Sequence, residues 1–174
     1  MSEFETYQID FKGLQEKETN LEYDLNDSFF AALDGAQLEH GALHVSVSIR
    51  KAAGLFELLF HTEGDVTVSC DLCLDDMQQP ISADNRLLVK LGEETNTEDD
   101  ELITVSEDSG VLDLSWFIYE FVMLAIPIKH VHAPGKCNHV MTEKLEELSA
   151  ARSSDEAKEI DPRWSALAKL NIKD

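Results

Sequence analysis

The sequence predicts an α+β protein in which an antiparallel sheet or partly closed β-barrel packs on a central apolar helix, with short C-terminal helices. Two observations predict this class. Strand-like segments with alternating apolar side chains follow one another without regular crossover helices between them, a pattern that favours antiparallel pairing. A single long apolar run then occupies residues 116–128, and its length is typical of a core helix.

The first elements of the chain are short. Residues 7–14 and 19–25 alternate loosely between apolar and polar side chains and are predicted as two strands. Asn26 or Asp27 can cap a short helix, and Gly35 can end it. A small helix is therefore expected between the second and third strands.

The middle of the chain predicts a meander. Residues 42–50 alternate strictly, and Gly54 separates them from a further strand at residues 55–60. The segment 63–65, Glu-Gly-Asp, has turn chemistry and predicts a reversal before the chain continues. Another strand is expected at residues 81–91.

The last third of the chain predicts helices. Asp113 is the predicted N-cap of a helix at 114–126 that is apolar on nearly every face and should pack on two or more sides. A short polar helix is expected near residues 143–150. Residues 1–150 are therefore expected to form one domain, and residues 151–174 a linker followed by an amphipathic helix.

The expected C-terminal helix has a clear start and an apolar stripe. Asp161 precedes Pro162, which places an N-cap before a proline at the first helical position. The stripe consists of Trp164, Leu167, Ala168 and Leu170. Such a helix either docks on its own domain or docks on a partner. Docking on the domain is favoured, because tryptophan stripes are more often core than interface.

The charge of the protein is strongly negative. Its 174 residues include 14 basic and 35 acidic side chains, for a formal net charge of −21. Such a charge disfavours broad binding of nucleic acid and suits a basic protein partner, although it could equally serve solubility alone. A small basic group could contact RNA locally, but scattered surface charge is the favoured interpretation of Lys129, His130, Lys136 and Arg163.

A cytoplasmic location is expected. The acidic segment 1–14 lacks the basic start and apolar core of a signal peptide. The apolar run at residues 116–128 is interrupted by Glu120 and Pro127 and is shorter than the ~20 residues that a membrane helix needs. No membrane association is therefore expected.

A candidate metal site is formed by cysteines that are far apart in sequence. Cys70 and Cys73 form a CxxC motif at the end of a strand-like run, and Cys137 follows much later among histidines. Zinc prefers four tetrahedral thiolate and imidazole ligands. His132 or His139 could supply the fourth ligand, and His132 is the one chosen here. The alternative is that the cysteines are small buried hydrophobic residues.

Catalytic chemistry is not indicated. A redox role for the CxxC motif is disfavoured, because no βαβ pattern surrounds it and the neighbouring acids Asp71, Asp75 and Asp76 are expected to raise the thiol pKa. Motifs of serine hydrolases, zinc proteases and nucleotide-binding loops are absent from the sequence. We therefore expect no enzymatic activity and no small-molecule substrate. A zinc- or thiol-dependent enzyme centred on the CxxC motif is the alternative.

Four segments together resemble the YceD family, whose members are called large ribosomal RNA subunit accumulation proteins, in the form of its Bacteroidetes branch. They are residues 64–74, 113–120, 127–137 and 161–170. One departure lies in the third segment, where many relatives carry paired cysteines and this chain has Cys137 alone. The resemblance by itself therefore does not carry over a metal site.

The resemblance implies a cytosolic, non-enzymatic ribosome-biogenesis factor that supports accumulation or processing of the large-subunit (23S) ribosomal RNA. The expected partners are ribosomal proteins or large-subunit precursors. A negative charge of −21 is compatible with a basic ribosomal protein as the direct contact.

Overall fold

The computed structural model describes residues 3–14, 17–52, 54–93, 95–96 and 102–149. A 3₁₀ turn at Glu3–Tyr7 precedes the strands. The strands are β1 (Gln8–Asp10), β2 (Glu18–Leu25), β3 (Gly41–Ala52), β4 (Leu55–Ser69), β5 (Asp76–Gly92), β6 (Leu102–Ser106) and β7 (Val111–Asp113). The helices are α1 (Asp27–Ala32), α2 (Ser115–Ala125) and α3 (His139–Leu148).

The mixed α+β class is confirmed, and the sheet is open rather than barrel-shaped. The main sheet has five strands in the order β2-β3-β4-β5-β6, and β1 pairs separately with β7. Strands β2 to β5 form the expected antiparallel meander, but β6 runs parallel to β5. Because β2 and β6 lie at opposite edges, the sheet does not close within the described residues. The expected antiparallel sheet is thus found in β2 to β5 but not at β6, and the described residues form no closed barrel.

The predicted reversal at residues 63–65 is also wrong, because β4 runs unbroken through it. Gly64 pairs with Leu43 on one side and with Ile81 on the other. Its φ of 143° and its surroundings explain the glycine: a Cβ there would collide with the Ala42 carbonyl oxygen and lie 2.7 Å from Leu43 Cα. A glycine within a strand can mark a close backbone approach as well as a turn.

The N-terminal elements partly match the sequence prediction. The first strand is only three residues long: within the expected strand at 7–14, the 3₁₀ turn includes residue 7 and a turn at residues 11–13 follows the strand. Helix α1 begins as expected: the Asn26 side chain accepts hydrogen bonds from the backbone N–H groups of Ser28 and Phe29. The helix ends at Ala32, before Gly35.

Helix α2 packs on the sheet with one face, so its expected central position is not confirmed. Its buried side chains include Ile118, Tyr119 and Val122. Leu124, by contrast, is 78% exposed and Trp116 is 42% exposed. Leu114 occupies the N-cap position and its side chain makes no capping bond, but the Asp113 carboxylate accepts the Ser115 N–H at 2.8 Å, so Asp113 supplies the capping hydrogen bond from one position further back.

The core lies between the inner face of the sheet and the helices. Alternate residues of β3, β4 and β5 point into it, and an edge-to-face contact between Phe60 and Phe121 joins β4 to α2 with ring centroids 5.0 Å apart. The buried apolar residues of the five-stranded sheet are Leu25, Leu43, Val45, Val47, Ile49, Phe56, Leu58, Phe60, Val66, Ile81, Leu87, Val89, Ile103 and Val105. This core fixes the ends of β4 and α2, from which the two site-bearing loops start.

The C-terminal elements differ from the core in burial. Helix α3 is present where a short polar helix was expected, and none of its residues is buried. The predicted helix around Trp164 and the proposed linker lie outside the described residues, so the division at residue 150 stays a prediction. Within the described part of the chain, no helix has both the length and the apolar character needed to cross a membrane.

Candidate metal centre

The first half of the site is a tight turn directly after β4. Cys70 follows the last residue of the strand, and its carbonyl oxygen accepts the Leu74 N–H at 2.9 Å while its own N–H donates to Asp75 O at 2.9 Å. The Leu72 N–H points at Cys70 Sγ, 3.5 Å away. Leu74 adopts a left-handed conformation with φ 64°. The turn therefore brings the side chains of Cys70 and Cys73 to one side.

The second half is the loop between α2 and α3, and hydrogen bonds join it to the first. The Asp71 N–H donates to His130 O at 3.0 Å, and the His130 N–H donates to Asp71 Oδ2 at 2.8 Å. At the start of α3, the Asn138 side-chain amide donates to Asp75 Oδ2 at 3.2 Å. These bonds hold the two loops next to each other, although about 60 residues separate them in sequence.

The four residues chosen from the sequence converge. The ligand atoms of Cys70, Cys73, His132 and Cys137 all lie within 4.8 Å of one another. Cys70 Sγ lies 3.8 Å from Cys137 Sγ, and His132 Nδ1 lies 3.3 Å from Cys73 Sγ and 3.9 Å from Cys137 Sγ. The cluster is therefore a Cys₃His set that could hold a metal ion.

These distances fit a tetrahedral zinc site. With Zn–S near 2.3 Å and Zn–N near 2.0–2.1 Å, tetrahedral geometry separates two sulfurs by about 3.8 Å and a sulfur from a nitrogen by about 3.6 Å. The sulfur–sulfur distance of 3.8 Å matches the first value, and the two nitrogen–sulfur distances of 3.3 and 3.9 Å lie on either side of the second. These three of the six ligand–ligand distances thus fit a four-coordinate ion, and the other three lie within 4.8 Å.

Burial distinguishes the two halves of the set. Cys70 and Cys73 are 0% and 2% exposed, whereas His132 and Cys137 are half-buried. Four protein ligands complete a tetrahedron without an open position for water or substrate, which is the arrangement of structural zinc sites. The donor set therefore favours cross-linking of the two loops over metal catalysis.

The pKa values of two of the thiols, Cys70 and Cys137, shift in opposite directions. Burial raises the pKa of Cys70, but hydrogen bonds from the backbone of Cys73, His132 and Leu72 outweigh it and lower that pKa to about 6. Burial, followed by hydrogen bonding to the other two thiols, raises the pKa of Cys137 to about 11. A bound cation would offset the electrostatic repulsion between neighbouring thiolates.

The structure corrects one expectation about this site and adds residues that the sequence did not indicate. The acidic neighbours were expected to raise the thiol pKa, which is wrong for Cys70, because backbone N–H groups dominate there. Asp71 and Asp75 instead bind His130 and Asn138. Nothing in a single sequence signals such pairing, because its partners lie in a distant loop.

The remaining histidines of the second loop are not part of the four-residue group. His130 Nδ1 lies 3.0 Å from the Pro127 carbonyl oxygen, and its Nε2 lies 3.7 Å from Asp71 Oδ1. His139 is the first residue of α3 and does not belong to the cluster. Of the two candidates for fourth ligand, the structure brings His132 to the cysteines.

Fold and site together define a class: a small α+β protein with a candidate structural metal centre that ties a strand-end turn to the loop after a core helix. The chain belongs to the YceD family, because the family model described as "Large ribosomal RNA subunit accumulation protein YceD" matches residues 58–171, more than half of the sequence. The match includes all four candidate ligands. No curated protein and no solved structure matches the chain.

Proposed function

We propose that this protein is a non-enzymatic ribosome-biogenesis factor that supports accumulation or processing of large-subunit (23S) ribosomal RNA in the cytoplasm. Family membership carries the proposal, since the matching family is described by large ribosomal RNA subunit accumulation. The candidate metal centre supports a structural rather than catalytic role, because its four donors leave no open coordination position.

The proposed direct contacts are basic ribosomal proteins or pre-ribosomal particles. The net charge of −21 supports such partners, and the outer face of the sheet carries part of it. Asp24 on β2, Glu63 on β4 and Asp84 on β5 are exposed on that face. Basic extensions of a partner would be attracted to this face, and free RNA would be repelled by it.

Direct contact with RNA has weaker support. Lys129 and Lys136 are exposed on the second loop of the site, but His130 beside them is paired with Asp71. Arg163 lies outside the described residues. Two exposed lysines make a small basic patch on a strongly acidic protein, so protein contact is the favoured route to the ribosomal precursor.

Depletion of the protein tests the role in large-subunit accumulation. We expect 23S ribosomal RNA and free 50S-sized particles to fall relative to 16S ribosomal RNA, with recovery on re-expression of the wild-type chain. The ratio of the two RNAs in total RNA is the measurement. An unchanged ratio after complete depletion would contradict the proposal.

Purification in moderate salt tests the choice of partner. Tagged protein should recover large-subunit ribosomal proteins, and nuclease treatment before capture should leave that recovery intact if the contact is with protein. Loss of all ribosomal proteins on nuclease treatment would show that RNA forms the contact. A charge-reversed variant, Asp84→Lys, should recover less ribosomal protein than the wild type.

For the metal centre, we propose one zinc ion per chain, held by Cys70, Cys73, His132 and Cys137. Thiolate-rich tetrahedral sets select zinc over harder cations. Elemental analysis of the purified protein should give one zinc per chain, and Cys73→Ser should remove it. His139→Ala is the matched control, because His139 lies in the same region outside the cluster. Equal zinc content in Cys73→Ser and wild type would overturn this assignment.

The alternative, a thiol-dependent enzyme, rests on the lowered pKa of Cys70. That thiol is 0% exposed and faces another candidate ligand, Cys137, 3.8 Å away. A substrate therefore has no route to the sulfur without opening the cluster. Alkylation of the native protein distinguishes a thiol-dependent enzyme from a structural metal centre. An accessible nucleophilic thiol would react with iodoacetamide before the fold is disrupted.

A further inference from the structure

A groove borders the candidate metal centre and is open to solvent on one side. It has a volume of about 510 Å³ and lies between the end of β4, the loop before β3 and the end of α2. Its apolar lining includes the buried Leu38 and the half-buried Val68, Met123 and Ile126. Ile128 stands at its edge with a fully exposed side chain. Exposure of this isoleucine beside an apolar groove points to an apolar occupant.

The rim of the groove is acidic. Glu39 and Asp76 line it, and both are exposed. Neither makes an ion pair with any other residue that the structure describes. The two histidines of the rim are already paired with other acids, since His40 binds Asp27 and His130 binds Asp71. The groove therefore favours a segment with apolar side chains and an adjacent positive charge.

We propose that the groove is the docking site of this protein's own C-terminal segment, residues 161–171, with Trp164 in the apolar part and Arg163 at the acidic rim. The segment joins an apolar stripe to basic residues at positions 163 and 169, although the whole chain carries a charge of −21. It thus has the two properties that the groove selects. The family match also continues through this segment to residue 171.

The length of the chain permits this docking. Asn138, at the start of α3, binds Asp75, which is adjacent to the rim residue Asp76. The ten residues of α3 lead the chain only ~15 Å away. Residues 150–161, if extended, span up to ~40 Å and are long enough to bring Trp164 back to the groove.

Tryptophan fluorescence tests the proposal in the full-length protein. The chain has two tryptophans, so Trp116→Phe leaves Trp164 as the reporter. We expect its emission at a shorter wavelength, and its acrylamide quenching severalfold weaker, than in the same protein unfolded in guanidinium. An emission spectrum equal to that of the unfolded chain would overturn the proposal.

Variants of the groove show where the tryptophan is held. In the Trp116→Phe background, Ile128→Asp should shift the emission of Trp164 to longer wavelength without loss of fold, because the Ile128 side chain is fully exposed. Asp76→Lys should weaken docking, and Arg163→Glu added to it should restore docking. Asp65→Lys is the matched control, since Asp65 is an exposed acid of β4 outside the groove. Equal effects of Asp65→Lys and Asp76→Lys would contradict docking at this rim.

Dilution of the protein and addition of ribosomal particles distinguish docking within one chain from docking on a second copy or on a partner. A shift that disappears on dilution would show that the segment occupies the groove of a second copy, which would overturn docking within one chain. A shift that appears only on addition of ribosomal particles would assign the groove or the segment to a partner and would also overturn it. The measurement uses purified protein, so its failure leaves the proposed role in large-subunit accumulation untouched.

Discussion

The central sheet and the metal-centre loops gain their stability in different ways. The sheet buries a continuous apolar face, with Val45, Leu58 and Val89 at 0% exposure. The loops expose apolar side chains instead: Leu74 is 67% exposed, and Ile128 is fully exposed. The loops therefore depend on hydrogen bonds between them and on the Cys₃His cluster, because little apolar burial holds them. The comparison indicates that the sheet should tolerate loss of the proposed zinc ion, while the loops should not.

The largest expected effect is on the sheet. Phe60→Ala should destabilise the whole protein by about 3–5 kcal/mol, because it removes a buried ring that packs edge-to-face on Phe121. Urea unfolding followed by circular dichroism measures this loss. Leu55→Ala is the control from the same strand, since Leu55 is 37% exposed and should cost far less. Equal losses for the two variants would show that this face is not the core.

Removal of the proposed zinc ion should have the second-largest effect on stability, and this effect should be confined to the loops of the candidate metal centre. At a free zinc concentration about 100-fold above the dissociation constant, bound metal contributes about 3 kcal/mol of apparent stability, and chelation should remove it. Hydrogen exchange should then rise in residues 70–75 and 128–137 while the backbone of β3 stays protected. Uniform loss of protection over the sheet would contradict a division between the two regions.

The two regions also differ in how far the sequence predicted them. The meander of β2 to β5 could be predicted, because alternation of apolar residues reports directly which face is buried. Gly64 misled the prediction, since close approach of neighbouring backbones requires a glycine as strictly as a turn does. The parallel pairing of β6 with β5 also left no local signal, because strand direction depends on the path of the connecting chain.

The sequence pointed to the four residues that the structure brings together, but not to the contacts that support them. The CxxC spacing and the later cysteine among histidines indicated the three thiols, and left His132 and His139 as candidates for the fourth ligand. The contacts of Asp71 with His130 and of Asp75 with Asn138 join loops that are distant in sequence. One sequence contains no record of that proximity. The acids were therefore interpreted by their charge alone.

Asp71 allows a smaller test of how the loops are joined. Asp71→Ala removes the acceptor of the His130 N–H, a bond of 2.8 Å, and should cost about 1 kcal/mol because the partly exposed N–H can turn to water. Asp71→Asn keeps a side-chain oxygen and should retain much of that stability. The measurement is the urea midpoint of the zinc-loaded protein. Equal midpoints for the alanine variant and the wild type would show that this bond does not contribute.

Leu74 offers an opposite, stabilising change. Its φ of 64° places a side chain in the left-handed region, which costs about 1–2 kcal/mol in a residue other than glycine. Leu74→Gly should therefore stabilise the protein by about 0.5–1 kcal/mol after allowing for the greater chain entropy of glycine. Leu74→Ala keeps the strain and is the control, since the leucine side chain is largely exposed. A thermal midpoint equal in the two variants would contradict strain at this turn.

The smallest expected effect lies on the outer face of the sheet, far from the ligands. His61 Nδ1 lies 2.7 Å from Asp84 and Nε2 lies 2.9 Å from Glu63, and hydrogen bonds to these two carboxylates, Asp84 foremost, raise the pKa of His61. A pKa raised on folding adds stability below the unfolded value of about 6.5, and this contribution is lost as pH rises through the folded value.

His61→Gln should therefore lower stability more at about pH 5.5 than at about pH 9, on either side of the unfolded histidine pKa. Urea unfolding of variant and wild type at the two pH values measures the difference. Salt should reduce it, because the His61 side chain is half-exposed and its charge is screened. Asp84→Asn should lower the pKa of His61 measured by NMR, because its main partner loses its charge. A stability difference independent of pH would show that His61 does not take up a proton on folding. The acids of the outer face would then add to the net charge of the protein without stabilising a protonated His61.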